Sequence, residues 1–90
     1  MGLDIVEMVM ELEKEFELEM PDDDLRPLRT VGDFYSYLEY RLAETGRITS
    51  TGRFDGDLWS RYLEIVERET GVPRGRLRPD ADFYRDLGVG

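Results

Sequence analysis

Apolar residues recur along the first twenty positions at helical spacing, not strand spacing. Ile5, Val9, Leu12 and Phe16 make one stripe, and Leu3, Val6 and Met10 make an adjoining one. Residues 3–18 are therefore expected to form an amphipathic helix with a wide apolar face. Glu7, Glu11, Lys14 and Glu15 lie opposite that face, and Pro21 is expected to end the helix. Residues 22–29 read as a connector holding one short helix, capped by an Asp and limited by Pro27. Thr30-Val-Gly-Asp33 is a capping-box pattern with Asp in place of the usual Glu. It opens a helix over 31–43, whose apolar positions are Val31, Phe34, Tyr35, Leu38 and Leu42, with Gly46 as its stop. Residues 44–56 carry three glycines and four hydroxyl side chains and read as a linker. A further helix is expected over 57–69, with Leu58, Trp59, Tyr62, Leu63, Ile65 and Val66 on its apolar side. Residues 72–90 read as mostly loop, with one helical turn at Phe83–Leu87. The expected fold is all-α, a single-domain bundle of three longer helices with short helical extras.

Composition narrows the chemistry. The chain has 90 residues, which suits one small domain, and no cysteine or histidine. Disulfides, thiolate or imidazole metal sites, and Cys/His or Ser/His nucleophile schemes are excluded. No apolar run approaches the roughly 20 residues that a bilayer requires. The opening Met-Gly-Leu-Asp-Ile-Val lacks the hydroxyl residue of a myristoylation signal, and no secretory leader is read, so the expected location is the cytoplasm.

Charge is unevenly placed. The net charge is −9, and residues 1–24 already hold ten acids against Lys14 alone. The remaining residues balance at eleven acids and eleven arginines. An acidic helix repels phosphate, so nucleic acid is not an expected partner. A basic protein surface is. Asp22-Asp23-Asp24 lacks the spaced oxygen ligands of a calcium loop, and reads as solvated capping acids, not as a metal site. The aromatics Phe34, Tyr35, Tyr37 and Tyr40, and Trp59, read as helix packing in preference to a ligand pocket. Arg74, Arg76 and Arg78 are open to two readings, an anion site or pairing with the first helix.

The run from Leu3 to Asp22 resembles the second helix of acyl carrier proteins. In that family an Asp-Ser-Leu motif opens an acidic amphipathic helix, followed by a Phe and an Ile-Pro-Asp-like exit. Leu3, Asp4, Val6, Glu7, Val9, Met10, Leu12, Glu13, Phe16, Pro21 and Asp22 fall in that register, and Thr30-Val31, Tyr37 and Leu38 continue it. The family's first half is similar to the end of this chain. Leu63-Glu-Ile-Val-Glu-Arg-Glu-Thr-Gly-Val looks like its opening helix, and Leu77-Arg-Pro-Asp-Ala-Asp-Phe-Tyr-Arg-Asp-Leu-Gly88 like its long first loop. The resemblance therefore implies a circularly permuted acyl-carrier-protein-like bundle: 1–43 as the second half, 44–56 as a new linker, and 57–90 as the first helix and loop.

In carrier proteins a serine at the start of this helix accepts phosphopantetheine, where free backbone N–H groups and the helix dipole favour a phosphodiester. Gly2 stands at the matching position and has no hydroxyl, so no cofactor is expected even though the family carries one. The resemblance further implies docking of this helix on basic patches of acyl-carrier-dependent enzymes, with Asp4, Glu7, Glu11, Glu13 and Glu15 on or near the docking face. The expected role is a non-enzymatic protein-binding module. Two alternatives stand beside it: a functional acyl carrier of fatty-acid or polyketide-type synthesis, and an interaction domain unrelated to acyl chemistry. A monomer is expected over a swapped dimer, since a thirteen-residue linker can reach about 40 Å extended.

Overall fold

The structure, a computed structural model, describes residues 3–48 and 54–89. Four α-helices follow in order: α1 (Leu3–Phe16), α2 (Asp22–Leu25), α3 (Val31–Glu44) and α4 (Gly56–Thr70), then one 3₁₀ turn at Arg74–Arg76. Three of the helices are long, and no strand occurs among the described residues, in agreement with the all-α reading. Among the described residues one antiparallel bridge joins Thr30 to Asp82.

Helix α1 is shorter than its apolar pattern predicts. It closes at Phe16 because Glu17 turns left-handed, with φ of 51°. The reversal that follows is held from inside the helix. The Glu13 carbonyl accepts from the Leu18 N–H at 3.1 Å, and its carboxylate Oε2 from the Met20 N–H at 3.0 Å. Pro21 instead precedes α2. The apolar face is also narrower than expected. Ile5, Met8, Val9, Leu12 and Phe16 are buried, whereas Val6 and Met10 are 37% and 60% exposed. The five buried positions already complete a 3–4 stripe, leaving Val6 and Met10 on the solvent side.

Helix α3 starts as its sequence specifies. The Asp33 N–H donates to Thr30 Oγ1 at 2.9 Å, and the Thr30 N–H donates back to Asp33 Oδ2 at 3.1 Å. The next free donors of the helix go to the C-terminal segment. Val31 N–H reaches the Ala81 carbonyl and Gly32 N–H the Pro79 carbonyl, both at 2.9 Å. First-turn N–H groups have no partner within their own helix, so this loop completes the helix start. The Phe83 N–H returns a bond to the Arg29 carbonyl, also at 2.9 Å.

Asp82 organises that loop. Its buried carboxylate accepts from the N–H groups of Tyr84 and Arg85 at 2.8 and 2.9 Å and from Arg29 Nε at 2.9 Å. The backbone donor of Arg85, with the Arg29 guanidinium and the Tyr84 N–H, holds this carboxyl at a pKa of about 2, against the opposing effect of burial. One helical turn follows, with the Asp86 N–H bonded to the Asp82 carbonyl, which places the expected Phe83–Leu87 turn.

Helix α4 ends at Gly71, which adopts φ of 75° as a left-handed cap. Ion pairs give its direction. Arg61 meets Glu15 at 2.8 Å and Arg68 meets Glu11 at 3.6 Å, so α4 runs antiparallel to α1. At the other flank the Tyr62 hydroxyl donates to the Val31 carbonyl at 2.7 Å. Tyr35, Trp59 and Tyr62 pack ring against ring, with centroids 4.8 to 5.6 Å apart. Helix α4 therefore packs on both α1 and α3.

The segment between α3 and α4 is fastened at both described ends. Arg47 donates to the Phe16 and Glu17 carbonyls that close α1. Phe54 lies against Tyr35 and Trp59, at centroid distances of 5.8 and 5.5 Å. The middle of the expected linker, 49–53, lies outside the described residues, as does Gly2.

Candidate interaction face on the first helix

The five acids expected on the docking face have different surroundings. Glu7 is exposed and Asp4 half-buried, and neither forms an ion pair among the described residues. Glu11 sits between Lys14 and Arg68, each 3.6 Å away. Glu15 accepts from Arg61 Nη2, whose guanidinium also lies 4.8 Å from the centre of the Phe16 ring. Glu13 holds the Met20 N–H and so serves the chain reversal. Asp4, Glu7, Glu11 and Glu15 lie at i, i+3 and i+4 steps, forming one row beside α4. Arg61 and Arg68 neutralise the C-terminal part of that row, which leaves its negative potential strongest at Asp4 and Glu7.

Beside the row lie Val6 and Met10, one turn apart and exposed. Periodicity alone puts both on the apolar face, and the structure corrects this. The signal for their exposure is in the sequence, because five other apolar residues suffice for the buried stripe. An apolar pair flanked by carboxylates can bury against a partner while the acids steer a basic surface towards it.

Several other residues singled out by their sequence pattern are drawn into the fold itself. Arg74 donates through Nη2 to Ser60 Oγ at 2.9 Å, and its N–H to Glu67 Oε2 at 2.8 Å. Arg76 Nη2 reaches the Asp86 carbonyl at 3.1 Å. Both therefore pair with α4 and their own loop, and not with the first helix. Asp24 Oδ2 accepts from the Tyr37 hydroxyl at 2.6 Å, while Asp23 meets Arg26 at 3.8 Å. No group of three or more carboxylates among the described residues is arranged to hold a metal. No helix of the described residues is long and apolar enough to cross a membrane.

Attachment of phosphopantetheine needs a hydroxyl at a helix start, and the described serines do not supply one. Ser36 lies in the middle of α3, and Ser60, the fifth residue of α4, accepts from Arg74. Gly2, which precedes Leu3, has none. These residues do not fit the group.

No protein-family model matches the chain, and no solved structure does. One stretch is similar to a curated relative, the acyl carrier protein of Bdellovibrio bacteriovorus. It is 62% identical over 38 residues, which are 42% of this chain and 49% of the relative. The chain thus spans about half the length of the curated relative it matches. Over that stretch the chain is homologous to an acyl carrier protein, and its all-α architecture agrees with a bundle of that kind.

Proposed function

We propose that this chain is an acyl-carrier-like domain with its halves in exchanged order: 1–43 as the second half, 44–56 as linker, and 57–90 as the first helix and loop. On this reading Gly2 occupies the attachment position, and the domain is a non-catalytic binding module of the cytoplasm. It docks as a monomer through α1 onto a basic patch of an acyl-carrier-dependent enzyme. The observation that carries this is the exposed Val6–Met10 pair beside Glu7, on the helix whose pattern matches the carrier family. The antiparallel course of α4 against α1 supports the exchanged order, since the resemblance to carrier proteins implies a first helix that runs opposite to the second.

Two measurements test the proposal. Intact mass after incubation with a promiscuous phosphopantetheinyl transferase and coenzyme A should be unchanged. A gain of one phosphopantetheine would establish the functional-carrier reading instead. Binding to a carrier-dependent synthase should weaken about tenfold on combining Glu7→Lys with Met10→Ala. Binding indifferent to both changes would place the partner elsewhere and remove α1 from the proposal.

A further inference from the structure

A groove of about 680 Å³ lies along the α2–α3 side, lined by Asp23, Asp24, Asp33, Leu28, Tyr37 and Tyr40. Its chemistry is one-sided. Three carboxylates line it, and no lysine or arginine does. Of the neighbouring arginines, Arg41 turns to Glu44 at 3.2 Å and Arg29 to Asp82 at 2.9 Å, while exposed Arg26 meets the groove's own Asp23 at 3.8 Å; Asp24 and Asp33 form no ion pair among the described residues. Tyr40 is 57% exposed, which leaves an aromatic face open to a partner. Tyr37 is held in place by its hydroxyl bond to Asp24 Oδ2. Asp24 Oδ1 accepts no bond among the described residues, and Asp33 uses only Oδ2 in the capping box.

The same chain shows what fits such a surface. Arg29 lies 5.3 Å from the centre of the Tyr84 ring while bonded to Asp82. Arg61 lies 4.8 Å from the Phe16 ring centre while bonded to Glu15. Both arginines satisfy their planar cation with an aromatic face and a carboxylate at once, a pairing that suits guanidinium better than ammonium. At Tyr40 the α2–α3 groove offers an open ring, and at Asp24 and Asp33 carboxylates that no arginine pairs among the described residues.

We propose that this groove is a second docking site, which takes an arginine-bearing segment of a partner protein. One guanidinium lies over the ring of Tyr40 and pairs with Asp24 or Asp33, and an adjoining apolar side chain covers Leu28. The complementary charge argues for this occupant: three carboxylates repel nucleic acid and anionic lipid alike. The site is on different helices from Glu7 and Met10, so it stands or falls independently of docking through α1.

The test is a titration of the ¹⁵N-labelled full chain, followed by amide shifts, with the capped peptide acetyl-Arg-Leu-Arg-amide. Its lysine counterpart and its uncharged citrulline counterpart serve as comparisons. Saturable shifts are expected at Asp24, Ser36 and Tyr40, with the lysine peptide weaker and the citrulline peptide at least tenfold weaker. Tyr40→Ala and Asp24→Asn should each weaken the arginine peptide roughly three- to fivefold. Tyr40 is exposed, so a thermal melt should show Tyr40→Ala folded, and Glu7→Lys should leave the groove shifts intact. Equal binding of the lysine peptide, shifts centred on α1, or indifference to Tyr40→Ala in the folded variant would each overturn the proposal.

Discussion

The N–H of Gly32 donates to the carbonyl of Pro79 at 2.9 Å, and a Cβ on Gly32 would stand only 2.6 Å from that same oxygen. Hydrogen bond and close approach are one contact. It exists because the second residue of α3 has no side chain. Phe54 lies over the same spot, with its ring carbon 3.2 Å from where the Cβ would be.

Gly32→Ala should therefore push the C-terminal loop off the start of α3. We expect a loss of roughly 2 kcal/mol, since backbone oxygen cannot yield as a flexible side chain would. For a domain of this size that is a fall of about 10 °C in Tm. Gly75→Ala is the control: nothing lies within 4 Å of its Cβ position, and its melting temperature should hardly change. Equal melting of the two variants would refute the account.

Acid should loosen the same contact region. The folded pKa of Asp82 is depressed to about 2, below its unfolded value near 4. Its contribution is present above the unfolded value and is lost as pH falls from about 4 through about 2. Urea denaturation of the wild type and Asp82→Asn should differ most above pH 4, and the curves should converge towards pH 2. A difference that does not shrink on acidification would assign the loop's order to something other than this carboxylate.

At the alkaline end the sign reverses. Burial pushes the Tyr35 hydroxyl up to about 12 and Tyr62 well above its usual value. Folding thus favours the neutral phenols, whose stabilisation is full below pH 10 and is lost as pH rises through 12. Absorbance at the phenolate band should rise together with helix loss by circular dichroism. Tyr62→Phe should cost about 1 kcal/mol at neutral pH through the lost bond to Val31, yet move the alkaline transition upwards.

Arg61 and Arg68 should damp the field of α1. Replacing both with Gln frees Glu15 and leaves Glu11 with Lys14 alone, and should speed association with a basic partner about two- to fivefold at low salt. These pairs are exposed, so stability should change by less than about 1 kcal/mol. Stopped-flow association across an ionic-strength series measures the effect, which should vanish in high salt. An unchanged rate would mean that the partner does not approach along this flank.

Local rules are legible in the sequence, and long-range ones are not. The capping box at Thr30 and Asp33 involves residues three apart, and the left-handed stop at Gly71 needs only the glycine itself. The expected helices over 31–43 and 57–69 differ from α3 and α4 by one residue at most at either end. The end of α1 escapes the pattern because a non-glycine residue, Glu17, takes the left-handed turn, sustained by Glu13 from within the helix. Val6 and Met10 read as core because periodicity counts apolar positions without knowing how many the neighbouring helices can cover. For the acidic row, spacing reveals the alignment but not the arginines opposite, which come from a helix some fifty residues later.

The docking of residues 79–83 on α3 also sets an order of events. Arg29 and Asp82 are 53 positions apart, and the free donors of Val31 and Gly32 stay in water until the loop arrives. On a ribosome, α1 and α3 emerge long before the residues that finish them. Contacts of such separation are slow to form, because the intervening chain must be ordered before they add stability. The helix start is thus a lock closed from a distance. The first half of the chain should wait, frayed at Thr30, until synthesis has passed Phe83, and then complete its packing in a single cooperative step.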